Sequence, residues 1–84
     1  MAIGQKIGDR ALVALALQGI GLVYVLQSDN PKALEYYNQA LVIVRDLNNA
    51  YGEAILLSSV AGVYSNLGEK QKAIQYYNQA LTLW

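Results

Sequence analysis

An all-α fold of two stacked helical hairpins is predicted by three observations. The hexapeptide Tyr36-Tyr37-Asn38-Gln39-Ala40-Leu41 returns letter for letter as Tyr76-Tyr77-Asn78-Gln79-Ala80-Leu81, a period of 40 residues. The same register keeps Ala14/Ala54, Leu17/Leu57, Val23/Val63, Tyr24/Tyr64, Lys32/Lys72 and Ala33/Ala73 in step. Apolar residues recur at helical spacing: Leu17, Ile20, Gly21 and Tyr24 follow i, i+3, i+4, i+7, as do Leu57, Val60, Ala61 and Tyr64. Finally, no stretch alternates polar and apolar residues for long enough to make a strand. A fixed period of about 20–50 residues marks an architecture in which each unit buries its apolar face against its neighbours.

The elements follow in order. Helices are predicted at roughly 10–27, 31–46, 50–67 and 70–83, with ends good to about ±2–4 residues. Between the first two, Pro31 suits a first helical position and Asn30 is placed to cap the free N–H groups ahead of it. Leu47-Asn48-Asn49 separates the two units. Asn66-Leu67-Gly68 stops the third helix, with Gly68 suited to a left-handed C-cap. Run backwards, the period aligns Met1-Ala2-Ile3 with Leu41-Val42-Ile43 and Ile7-Gly8-Asp9 with Leu47-Asn48-Asn49. The chain is thus expected to be one domain, 1–84. Residues 1–8 form the end of an incoming helix, 9–48 the first repeat and 49–84 the second, with Trp84 where a third unit would begin.

Composition narrows the function. Six basic and six acidic residues cancel, so no net field steers the chain toward nucleic acid. Without Cys there are no thiolate nucleophiles or thiolate metal sites, and without His the usual general base and commonest metal ligand are missing. The expectation is a non-enzymatic protein with no cofactor and no metal. The start lacks a basic stretch followed by an apolar one. The longest apolar run, Ala11 to Leu26, is interrupted only by Gln18. It falls short of the roughly 18–20 residues needed to span a bilayer and reads as a buried helix. A soluble, cytoplasmic protein without membrane contact is the expectation.

The spacing of small and large residues resembles the tetratricopeptide repeat. That family's first-helix pattern of a large residue, Leu-Gly and Tyr is matched by Leu17, Ile20-Gly21 and Tyr24, and by Leu57, Val60-Ala61 and Tyr64. Its second-helix pattern is matched by Ala33, Tyr37, Ala40 and by Ala73, Tyr77, Ala80. Gly21 or Ala61 lets the facing helix approach, and Tyr37 or Tyr77 fills the groove. The period exceeds the usual ~34 residues. It resembles the longer-helix subclass of kinesin light chain, spindle-orientation adaptors and many bacterial multi-repeat proteins. Two features depart from the family: Leu stands where Trp is usual, and Arg45 where Pro often ends the second helix. The resemblance implies protein or peptide binding along a concave face made by the first helices.

That face is predicted to be asymmetric. At 100° per residue, Leu15, Gln18, Leu22, Val25 and Leu26 form a stripe on the first helix, mostly apolar. The equivalent stripe on the third is Ile55, Ser58, Gly62, Ser65 and Asn66, small and polar. Leu15, Gln18, Leu22, Val25 and Leu26, with Ser58, Ser65 and Asn66, are therefore the expected partner or self-contact residues. A helix apolar nearly all round is normally buried. At about 1.5–3 kcal/mol per large aliphatic side chain, leaving four of them wet forfeits several kcal/mol. Two bare repeats, where arrays usually need three, point to a homodimer or higher oligomer. Two other readings stay open: a peptide-sensing regulatory module with an open groove, and a fragment of a longer array tethered to an effector domain.

Other motifs fail on their own residues. Gly19-Ile20-Gly21 starts like a dinucleotide loop, but Tyr24 stands where the third Gly belongs. Asp46-Leu47-Asn48-Asn49-Ala50-Tyr51 starts like a calcium loop, but Ala50 should carry an oxygen ligand and Tyr51 should be Gly. Family members that clamp a C-terminal carboxylate place Lys and Asn on the concave stripe, where Gln18, Leu22, Ser58 and Gly62 stand here. In each tyrosine pair, the second residue is expected to fill the hairpin and the first to lie on its flank near the next repeat.

Overall fold

The computed structural model describes residues 3–83, with side chains from residue 8 onward. Met1, Ala2 and Trp84, and with them the expected starts of the incoming helix and of a third unit, lie outside the described residues. Four helices follow in order: α1 (Ile3–Leu26), α2 (Asn30–Asp46), α3 (Ala50–Asn66) and α4 (Lys70–Thr82). Among the described residues there is no strand. α1 packs along α2, α3 along α4, and α2 joins the two hairpins by packing on α3. The array is a slab of 46 × 29 × 13 Å.

The three corners share one design, repeated every twenty residues. Ser28, Asn48 and Gly68 each take a left-handed backbone, with φ of 63°, 54° and 80°. The next residue sends its N–H back to the carbonyl of the third-last helical residue: Asp29 to Tyr24, Asn49 to Val44 and Glu69 to Tyr64. That same residue opens the following helix, so one position closes one helix and caps the next. This corrects the expected cap. Asp29, not Asn30, holds the position, and its carboxylate accepts from the Lys32 N–H at 3.4 Å. Asn49 Oδ1 accepts from the Gly52 N–H at a better 3.0 Å, while the longer Glu69 side chain makes no cap bond. Of the three left-handed residues only Gly68 avoids the Cβ penalty of roughly 1–2 kcal/mol.

No corner forms at Ile7-Gly8-Asp9, where the period places one. α1 runs straight through it for 24 residues. At the other corners the chain turns back onto the helix it has just left. Ahead of α1 no described helix offers such a surface, and continuing the ladder satisfies the backbone of residues 3–8 directly.

Ala33, Tyr37, Ala40, Leu41 and Val44 of α2 and Ala54, Leu56, Leu57, Val60, Ala61 and Val63 of α3 are buried. The small residues set the helix spacing. A Cβ built on Gly21 would lie 2.8 Å from Tyr37 Cε1, whereas one on Gly19 meets nothing within 4 Å. The two glycines should therefore respond oppositely to alanine. Gly19→Ala is expected to stabilise by about 0.5–1 kcal/mol through helix propensity. Gly21→Ala is expected to lose about 1–2 kcal/mol, because the buried Tyr37 ring must shift to admit the methyl group. Urea unfolding midpoints of the two variants check the opposite signs.

The first tyrosine of each pair does not lie toward the next repeat, as expected, but stacks within its own hairpin. Tyr36 lies on Tyr24 with centroids 5.5 Å apart and planes 11° from parallel, and Tyr76 on Tyr64 at 5.3 Å and 15°. Lys32 and Lys72 place their ammonium groups 5.4 and 5.2 Å from the Tyr24 and Tyr64 ring centroids. Tyr24 and Tyr64, Lys32 and Lys72, and the paired tyrosines all keep the period, so the identical motif writes an identical side-chain stack. Such stacks add about 0.5–1.5 kcal/mol beyond area burial.

Candidate protein-interaction groove

α1 and α3 form two walls with α2 beneath them. The trough between them holds two hollows, of about 130 and 240 Å³. Both fall below the roughly 300–1,000 Å³ typical of small-molecule sites, and each suits a side chain or two of a protein partner. Leu15 and Gln18 line both hollows. Leu22, Gly19, Tyr37 and Ser59 complete the larger one, whereas Ala11, Val44, Leu47 and Gly52 contribute to the smaller.

The structure thus brings Leu15, Gln18 and Leu22 together along the trough. The other candidates stand apart from both hollows. Val25 is partly buried and packs against the core, and Leu26 projects into solvent from the last turn of α1. Ser58 is partly buried but lines neither hollow; Ser65 and Asn66 are exposed near the end of α3. Ser59, which was not among the expected contact residues, lines the larger hollow from α3. The signal was present in the repeat: Ser59 is the partner of Gly19 across the period, and both lie at the larger hollow.

Ser59 also ties the trough to the core. Its hydroxyl donates to the Ile55 carbonyl at 3.1 Å. Burial pushes the Tyr37 hydroxyl above its ordinary pKa of 10.0, and a hydrogen bond with Ser59 offsets part of the rise. Ionised Tyr37 would be a buried charge, so the folded chain keeps this proton to higher pH than the unfolded chain does. Its contribution to stability is complete below about pH 10 and is lost as pH rises through the folded value. Urea midpoints between about pH 8 and 11.5 should fall at the alkaline end, and more shallowly in Tyr37→Phe.

The electrostatics of the slab are local. Arg10 pairs with Asp46 at 3.0 Å, joining α1 to α2, and Arg45 with Glu53 at 2.8 Å, joining α2 to α3. Both pairs are partly or wholly exposed and worth about 0–1 kcal/mol each. Among the described residues no group of three or more His, Cys, Asp or Glu could hold a metal ion.

α1 is not the buried helix its composition predicts. Its inner residues Ala14 and Gly21 are covered by α2, while Leu12, Val13, Leu15, Ile20, Leu22, Val23 and Leu26 are exposed. Only 11% of the 19-residue window Gly8–Leu26 is buried, and by length and composition that window could cross a membrane. The expected shortfall in length disappears because the helix begins before Ala11. Burial falls short because α1 is flanked by one hairpin partner, where α3 is packed on both α2 and α4.

A family model of the tetratricopeptide repeat matches residues 12–84. No curated protein and no solved structure matches the chain.

Proposed function

We propose, from the premise that the chain belongs to the tetratricopeptide repeat family, that it is a non-enzymatic self-assembly module working through protein–protein contact. One observation carries the reading: α1 leaves Leu15, Leu22 and Leu26 exposed to solvent, the first two along the trough. Exposed aliphatic surface of this kind is removed from water most directly by protein. A bilayer fits less well. α1 is bound to α2 by the Tyr24–Tyr36 stack and the Arg10–Asp46 pair, and α2 exposes Lys32, Glu35, Asn38 and Gln39. The proposed setting is accordingly the cytoplasm.

Light scattering on a sizing column, from micromolar to high concentration, tests the reading. The mass should exceed 9.2 kDa. Leu22→Glu should weaken association by roughly tenfold or more where the trough forms the contact, and association unchanged by it would place the contact on another face of the slab. A second reading, capture of a peptide in an open groove, is favoured by the two side-chain-sized hollows. A folded monomer at every concentration would leave that reading in place of the first.

A further inference from the structure

The period of 40 pairs every residue of α3 with one of α1, and every residue of α4 with one of α2. Comparing burial across these pairs separates the surface covered within a hairpin from the surface covered by the next one. Ala54, Leu57 and Ala61 have partners Ala14, Leu17 and Gly21 that are also wholly or partly buried, because every hairpin covers them itself. Val60 and Val63 do not behave so. They are 1% exposed, yet their partners Ile20 and Val23 are 40% and 50% exposed. The same holds on the other helices: Tyr37 and Leu41 are 3% exposed, whereas Tyr77 and Leu81 are 43% and 67% exposed. The residues that lose burial are those the packing of α2 on α3 covers. α1 and α4 thus each carry one half of an interface the chain already builds internally, and the halves are complementary.

We infer that copies of this chain stack head to tail, with the outer face of α4 on one copy seated against the outer face of α1 on the next. The proposal rests on the self-assembly reading above but assigns it to different residues: Ile74, Tyr77 and Leu81 on α4, and Ala16, Ile20 and Val23 on α1. No charged side chain belongs to either set. Val13 stands where Glu53 does, so the junction has no carboxylate to desolvate at that point. Leu12 replaces Gly52, whose missing Cβ would meet the Asn49 side chain at 2.7 Å and Val44 of the facing α2 at 3.3 Å, so Leu12 stands further out from α1 than Gly52 does from α3. At the partner position Asp9 lies within the continuous α1 helix, so that capping side chain does not stand over Leu12. One position is underfilled: Ala16 replaces Leu56. The contact is heterologous, since the two faces differ, and each added copy repeats the step between hairpins. Such a contact adds copies one after another past the dimer, so mass grows with concentration.

Complementation tests this. Val23→Glu blocks the α1 face and Leu81→Glu the α4 face, and both positions are exposed in the single chain, so both variants should keep the helix content and melting of the dilute, monomeric wild type. By sedimentation velocity the wild type should pass beyond the dimer as concentration rises. Each variant alone should lose association by roughly tenfold or more. An equimolar mixture of the two should form a dimer and stop there, because one intact face of each kind remains. Ala16→Leu should tighten wild-type stacking by about tenfold by filling the gap. A wild type that associates while either variant leaves association unchanged, or while the mixture stays monomeric, overturns the head-to-tail assignment and leaves self-assembly standing. A wild type monomeric throughout overturns both.

Discussion

Tyr37→Ala is expected to destabilise the chain by about 3–5 kcal/mol, and Tyr77→Ala by only about 1 kcal/mol. The two tyrosines occupy the same place in identical hexapeptides, so propensity and local sequence predict no difference. What differs is the neighbour beyond. Tyr37 is sealed between Gly21 below and α3 beside it, with Ser59 in reach of its hydroxyl. Tyr77 is 43% exposed, its hydroxyl near Gly62 of its own hairpin, and has no described helix past it. Truncating Tyr37 removes a buried ring from beneath the trough, where α1, α2 and α3 meet, and enlarges the hollow it lines. A domain of this size rarely holds more than about 3–5 kcal/mol in reserve. The variant should therefore be largely unfolded at room temperature by far-ultraviolet circular dichroism, while Tyr77→Ala keeps its helix content. Equal effects from the two substitutions would mean that α3 does not seal Tyr37.

The second large effect is expected at Leu56. It is fully buried, and its repeat partner Ala16 is exposed, which places it among the residues covered by the neighbouring hairpin. Leu56→Ala should cost about 2–5 kcal/mol. The loss falls on the junction between hairpins and spares the interior of each. Unfolding followed by tyrosine fluorescence and by helix content should then separate into two transitions, where the parent shows one. A single transition displaced to lower urea would show that the hairpins cannot persist apart.

The hairpins, their order and the residues of their cores were legible because the chain states them twice. Leu17, Gly21 and Tyr24 gain authority from Leu57, Ala61 and Tyr64, and two registered copies leave little freedom. All three corners were legible as breaks between helices, but the left-handed backbone was legible only at Gly68; at Ser28 and Asn48 the twenty-residue spacing of the corners identifies it. The cap fell on Asp29 and not Asn30 because closing one helix and opening the next occur at one position, a constraint of the corner rather than of either residue. The burial of α1 was misjudged for a different reason. Apolar composition reports what a helix would prefer, whereas exposure depends on how many neighbours it has, and α1 has fewer than α3. The trough was half legible: Leu15, Gln18 and Leu22 follow from helical geometry, but Ser59 and Tyr37 enter from other elements whose angles no single helix encodes.

The principal packed pairs of this slab, α1 with α2, α2 with α3 and α3 with α4, are neighbours along the chain. Closing each requires only a short search, so the entropy lost before a contact rewards it is small. Chains built this way reach their native state in microseconds to milliseconds. The same arrangement governs how the molecule comes apart. α4 can peel from α3 without disturbing α1, and α1 from α2 without disturbing α4. Opening therefore proceeds inward from both flanks, and the slowest amides to exchange with solvent are those of α2 and α3.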